Sequence, residues 1–175
     1  MNNGKRVFIG YHGTETEKAK SILKSRSFNT SHGEEEWLGI GVYFFQDDMK
    51  QAINFCTKAR KYKNWSVLKA TISAERVIDL IDINTFDKFQ AYATELKSRF
   101  LKLKNGKKRQ LMNSVILDVM YKLNPYDVVR AAFPIPKVGY APRTNIQPME
   151  IQLSVRNRNC IDRYSIKEVE NDGCK

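Results

Sequence analysis

Histidine and cysteine are scarce in this chain, with two and three respectively in 175 residues. Cys56, Cys160 and Cys174 are odd in number, scattered, and form no CxxC arrangement. A disulfide framework and a structural zinc site both need more ligands at closer spacing, so neither is expected, and no metal is assigned. No apolar run approaches the ~20 residues that a membrane span needs. The opening stretch leads into only Val7-Phe8-Ile9, too short for the apolar core of a signal peptide. These absences together point to a reduced, cytoplasmic protein with no membrane partner. Internal repeats and low-complexity stretches are also missing. No GxGxxG follows a strand, and there is no Walker loop and no GxSxG. A Rossmann dinucleotide site, NTP hydrolysis and a serine-hydrolase triad therefore lack their motifs.

Acidic side chains are the other shortage. Asp+Glu number 19 against 30 Lys+Arg, a formal net charge of +11. Nucleic acid, an acidic protein or an anionic membrane surface would each complement that excess. A merely solvated positive face would account for it too. The cations are clustered. Lys58, Arg60, Lys61 and Lys63 lie within six residues, and Lys97, Arg99, Lys102, Lys104, Lys107, Lys108 and Arg109 within thirteen. Arg156 and Arg158 follow a late strand. A phosphate backbone is the natural counterpart of such clusters. The NAD diphosphate or an acidic inhibitory protein is the alternative.

The composition, 42% hydrophobic and 28% charged, suits a folded chain. At about 150 residues per domain, residues 1–175 read as one domain with a helical insertion near 84–124. Val7 to Tyr11 reads as a short strand. Thr14 or Thr16 can cap a helix carrying Ala19, Ile22 and Leu23 on one stripe, running to about Arg26. Trp37 to Phe45 reads as a loop feeding a strand, and Asp47-Asp48 as the cap of a helix bearing Ala52, Ile53 and Cys56. Strands are expected over 67–72, 77–80 and 128–133. Two helical pieces between 84 and 122 are broken at Asn105-Gly106. Met149 to Val155 alternates strictly, a strand with one polar face. A last strand is expected from Cys160 to Val169. The fold class is α+β, with a mixed or antiparallel sheet.

Two segments carry the chemistry. In Tyr11-His12-Gly13-Thr14 an imidazole, a bare backbone and a hydroxyl come together, and Gly13 lets a ligand approach the main chain. In Gly39-Ile40-Gly41-Val42-Tyr43-Phe44 two glycines permit a sharp turn before Tyr43 enters its strand. Taken singly, His12 reads as a satisfied strand-end histidine and Tyr43 as a core aromatic.

Together, from Phe8 to Cys56, these segments resemble the ADP-ribosyltransferase superfamily, in its diphtheria-toxin and poly(ADP-ribose)-polymerase-like branch. The order runs strand, Tyr11-His12-Gly13-Thr14, helix, loop, Gly39 to Phe44, then a helix with Ala52-Ile53-Asn54-Phe55-Cys56. Residues 57 to 148 match only in general layout. The family is identified by a His…Tyr…Glu triad whose third member heads a late strand. Gln152-Leu153-Ser154-Val155 fits that frame, making a His-Tyr-Gln variant. Glu150, two residues earlier on the same strand face, is the rival third member.

The resemblance implies a fold of split mixed or antiparallel sheets, and NAD as substrate. It implies that His12 holds a ribose hydroxyl and that Gly13 and Thr14 hold the nicotinamide carboxamide. Tyr43 and Phe55 would stack on the nicotinamide, Gln152 would accept from its ribose, and Asn29 would approach the adenosine. Breaking the ribose–nicotinamide bond builds positive charge on the ribose, as in glycoside hydrolysis. A carboxylate stabilises it by charge, a glutamine only by its carbonyl dipole. The family links chain elongation to the acidic residue, so with glutamine in its place the resemblance implies transfer of a single ADP-ribose.

The expected activity is mono-ADP-ribosylation of a nucleic acid, RNA or DNA, at a single-stranded segment where bases are reachable. By analogy, the protein would act as a toxin of a toxin–antitoxin or phage-defence system, with a possible antitoxin partner. The alternatives are a protein acceptor, NAD glycohydrolysis, or a basic nucleic-acid-binding protein with a degenerate pocket. Transfer of a 2′-phosphate from RNA to NAD ranks lower, because that pocket calls for more cations and histidines.

Overall fold

A computed structural model describes residues 4–31, 36–103, 113–135 and 147–169. Among them it is an α+β structure with a mixed sheet of seven strands in the order β4-β5-β6-β2-β1-β3-β7. The longest ladder joins β1 (Arg6–Glu15) antiparallel along its whole length to β3 (Trp65–Ala74). On the other flank β1 meets β2 (Val42–Gln46), which continues antiparallel to β6 (Met149–Val155) and then β5 (Val128–Pro134). The edges are β4 (Val77–Asp79), parallel to β5, and the two-residue β7 (Lys167–Glu168). Two split sheets were expected, whereas these strands join in one sheet. The join is slender, since only Gly10↔Gln46 and Tyr11↔Phe45 pair β1 with β2.

Strand alternation divides the side chains into two faces. One face carries Phe8, Val42, Phe44, Leu68, Ile72, Leu153 and Val155, all buried. Helix α1 (Thr16–Ser25) covers it with Ala19 and Ile22, and the C-terminal segment adds Cys160, Ile161 and Ile166. The other face carries Val129 and Ala131 under α3 (Ile83–Leu103) and α4 (Asn113–Leu123), with Phe89, Ile116 and Leu117 against them. Helix α2 (Met49–Asn54) lies over β1 and runs straight into a π-helical turn, Phe55–Ala59.

Helix starts depart from expectation once and agree once. Neither Thr14 nor Thr16 caps α1: Thr14 is inside β1, and the N-cap position is Glu15, without a side-chain cap bond. Pairing with β3 holds the strand extended through Thr14 and Glu15. At α2 the Asp48 carboxylate accepts from the Gln51 amide at 3.0 Å, as a cap should. The expected strand from Cys160 to Val169 is replaced by two 3-10 turns, Arg158–Cys160 and Arg163–Ser165, and the short β7. Asn157 and Asp162 cause this. Each side chain accepts the amide two residues on, and so competes with sheet pairing. The Asn105-Gly106 break and most of the loop after Pro134 lie outside the described residues. No described helix is long and apolar enough to cross a membrane.

Candidate active site

The seam between β1 and β2 organises the site. After Tyr11↔Phe45 the ladder stops, although the strands run on, to Glu15 in β1 and back to Val42 in β2. A continued ladder would supply the Tyr43 carbonyl with a backbone donor. His12 supplies it instead, donating from Nδ1 to Tyr43 O at 2.7 Å. A carbonyl only accepts, so Nδ1 carries the proton. Burial pushes the His12 pKa below its ordinary value, and the Tyr43 carbonyl opposes this less strongly. The ring is packed against Phe28 at 5.2 Å and Phe44 at 5.7 Å between centroids. The neutral ring so favoured leaves Nε2 as an acceptor.

His12, Gly13 and Thr14 do not face one spot. Consecutive strand residues alternate, so His12 and Thr14 share the α1 face and Gly13 takes the other. A ligand is not what closely approaches Gly13. A Cβ built there would lie 2.6 Å from Ala52 O and 2.6 Å from Cys56 Sγ. The missing side chain lets α2 and the π-helical turn sit directly on β1. Burial pushes the Cys56 thiol up to about 11, so it is protonated at neutral pH and packs rather than reacts.

The face of Gly13 also carries Tyr43, Phe45, Gln152 and Glu150. Tyr43 pairs with Ser154 and Phe45 with Gln152, which in turn lies opposite Ala131. Glu150 lies opposite Phe133. Phe55 stands above this row, its ring 6.1 Å from that of Phe45, with the Arg60 guanidinium 5.4 Å from its centroid. The structure thus brings Gly13, Tyr43, Phe55, Gln152 and Glu150 to one side of the sheet. It leaves His12 and Thr14 on the other, with His12 reaching to Tyr43 through the seam. Asn29 is exposed beside Phe28.

Tyr43 is held by its hydroxyl, which accepts from Leu38 N at 2.9 Å and donates to Gly39 O at 2.7 Å. Gly39 adopts φ +76°, the left-handed conformation the turn requires. Burial raises the Tyr43 phenol well above its usual range. Gly41 is needed for a different reason: a Cβ there would overlap Ser154 Oγ.

Gln152 and Glu150 form a pair rather than alternatives. The Gln152 amide nitrogen donates to the Glu150 carboxylate. That fixes the amide's orientation and leaves Gln152 Oε1, which has no hydrogen bond among the described residues, as an acceptor. Burial raises the Glu150 carboxyl above the usual carboxylate range, with the Gln152 donor opposing and Asp48 reinforcing the rise.

Residue types and local spacing give no signal for Phe28, which shields His12. They also misplace Arg156, expected among the phosphate-facing cations. Its guanidinium pairs with Asp118 at 2.5 Å and lies 4.0 Å from the Tyr121 ring centroid, so it ties β6 to α4.

Comparison with curated proteins finds an uncharacterised protein of Methanocaldococcus jannaschii, MJ0359. It is 28% identical over 191 residues, covering 91% of this chain and 87% of the relative. No family model and no solved structure matches the chain.

Proposed function

We propose that this chain is an NAD-dependent mono-ADP-ribosyltransferase whose acceptor is a nucleic acid. The observation that carries the reading is the Gln152–Glu150 pair beside Tyr43 and Phe55. A glutamine alone offers a dipole to a developing cation. A glutamine whose NH₂ group is bound to a half-buried carboxylate is polarised, and its oxygen gains negative charge. The pair thus returns part of what the change from glutamate to glutamine removes.

In the proposed reaction the bond between ribose C1 and the nicotinamide nitrogen breaks, and nicotinamide leaves neutral. A nitrogen or oxygen of the acceptor bonds to C1, and the acceptor's proton passes to solvent or a base. Tyr43 and Phe55 would hold the nicotinamide ring. The Nε2 lone pair of His12 would accept from a ribose hydroxyl. Gln152 Oε1 would accept from the nicotinamide ribose and stabilise the positive charge that grows there. Electrostatic groups placed in advance are the largest contributors to such steps. The basic character of the chain, +11, favours a polyanionic acceptor.

A second reading draws on a specific observation: the His12 and Tyr43 side chains leave opposite sheet faces, and both hydrogen-bonding roles of the Tyr43 hydroxyl are already filled. On that reading the chain is a basic nucleic-acid-binding protein that no longer turns over NAD. Release of nicotinamide from NAD decides between them. The enzymatic reading expects release by the wild-type chain and its loss in Gln152→Ala; absence of release by the wild-type chain overturns it.

A further inference from the structure

A second concave site lies on the opposite face from Tyr43, between the end of α1 and the C-terminal 3-10 turns. It is a cavity of about 80 Å³ lined by Arg26, Ser27, Phe28, Arg158, Asn159 and Arg163, with Ile161 and Ile166 behind. No carboxylate lines it. Among the described residues none of the three guanidiniums has a carboxylate partner. Two are aimed by backbone carbonyls: Arg26 donates to Ile166 O at 2.8 Å and Arg158 to Phe28 O at 3.1 Å. Each of those spends one of five N–H donors and keeps the rest. Arg26 itself sits at φ 53°, the left-handed position that ends α1 and turns the chain into the cavity wall.

One residue beyond Arg163 stands Tyr164, 93% exposed, the most exposed of the large apolar side chains described. Its amide is held by Asp162 Oδ1 at 2.9 Å, so the backbone that presents the ring is fixed while the ring meets only solvent. Three unpaired guanidiniums around a small cavity suit a tetrahedral phosphate. An adjoining exposed aromatic suits an unstacked base.

We propose that the Arg26–Arg158–Arg163 cavity and Tyr164 form a docking site for single-stranded nucleic acid, the cavity taking a backbone phosphate and Tyr164 a flanking base. Phe28, which lines the cavity, is also the ring against His12, so the strand is held one aromatic layer from the seam. As the place where an acceptor docks, the site rests on the reading above. As a binding site it is tested without NAD and stands or falls on its own.

The test is fluorescence anisotropy of a short dye-labelled single-stranded oligonucleotide, as RNA and as DNA, over a salt series. Arg158→Glu/Arg163→Glu is expected to weaken binding roughly tenfold or more. It should also flatten the slope of log K against log salt by about 1.4, two contacts at about 0.7 each. Tyr164→Ala is expected to weaken binding between about fivefold and a hundredfold, with Tyr164→Phe close to wild type. The exposed pair Lys88→Glu/Lys122→Glu makes the same change in net charge away from the cavity and should have a much smaller effect. Equal weakening by the two charge-reversed pairs, or no effect of Tyr164→Ala, overturns the proposal. So does a cavity variant that loses NAD binding but keeps the oligonucleotide, which would assign the cavity to the dinucleotide diphosphate. Displacement by polyglutamate with full binding retained in Tyr164→Ala would assign it to an acidic polypeptide instead. Absence of ADP-ribosyl transfer by the wild-type chain, with oligonucleotide binding weakened in the cavity variants as expected, would count against the enzymatic reading alone.

Discussion

His12 Nδ1 donates to the backbone carbonyl of Tyr43 at 2.7 Å, across the place where β1 and β2 cease to pair. The imidazole therefore has two separable tasks, bridging the seam through Nδ1 and offering Nε2 to a ligand. His12→Ala leaves the carbonyl without its partner and is expected to cost about 1–3 kcal/mol of stability. His12→Asn can donate from its amide in place of Nδ1 and should recover much of that stability. It should not recover transfer of ADP-ribose, because it lacks an acceptor where Nε2 stood. Denaturant melts and a labelled-NAD assay on the two variants separate the tasks.

Protonation of His12 opposes folding. Its pKa in the folded chain is depressed by burial, so the unfolded chain binds the proton more readily. Its contribution is full above the ordinary value of 6.5 and is lost as pH falls through the depressed folded value. The carboxylates Asp79 and Asp127, held below the usual range by Arg6, Arg130, Arg76 and Asn157 against their desolvation, act only below 3.8. Glu150, its carboxyl raised above 4.5 by burial, binds its proton more readily in the folded chain and opposes the decline toward the acid end of that window. A melting temperature that declines as pH falls below 6.5 is expected before Glu150 protonates, and His12→Asn should flatten it. With two histidines in the chain, ¹⁵N NMR should show one ring protonated on Nδ1 that stays neutral at a lower pH than a free imidazole.

Gly13 is a packing position. Gly13→Ala would place a methyl 2.6 Å from both Ala52 O and Cys56 Sγ, and one of these is backbone. The cost should be about 1–3 kcal/mol, as for other overpacked sites. Because α2 carries the chain into the turn of Phe55, NAD binding should weaken as well. Chemical denaturation together with calorimetry of NAD binding measures both.

The Gln152–Glu150 pair predicts a ranking. Gln152→Ala removes the acceptor itself and should lower turnover by about 10²–10³. Glu150→Ala removes only the polarising carboxylate and should lower it less; the reverse order would hand the central role to Glu150. Turnover should fall with acid as Glu150 protonates, at a pH above the ordinary 4.5 because burial raises its pKa. Glu150→Gln should abolish that acid limb.

Strong local patterns were legible. The alternation of Met149 to Val155 is β6, and Asp48 caps α2. The shared face of Gln152 and Glu150 follows from strand period alone. The opposite faces of His12 and Gly13 follow from the same rule once β1 is known to reach Glu15. That extension was hidden, because His-Gly-Thr carries no apolar pattern and is held extended by β3, more than fifty residues away in sequence. Distance also concealed the roles of Phe28 and Arg156, whose partners His12 and Asp118 lie far off in the chain. The turns after Asn157 and Asp162 replaced a strand because short polar side chains outcompeted the ladder for nearby amides.

Incubation of the wild-type chain with NAD labelled in its adenylate, together with RNA, DNA and protein, is the most direct measurement. Label in nuclease-sensitive, protease-resistant material, lost in Gln152→Ala, is the predicted result. Label confined to protein, or no label in any fraction, would contradict the account.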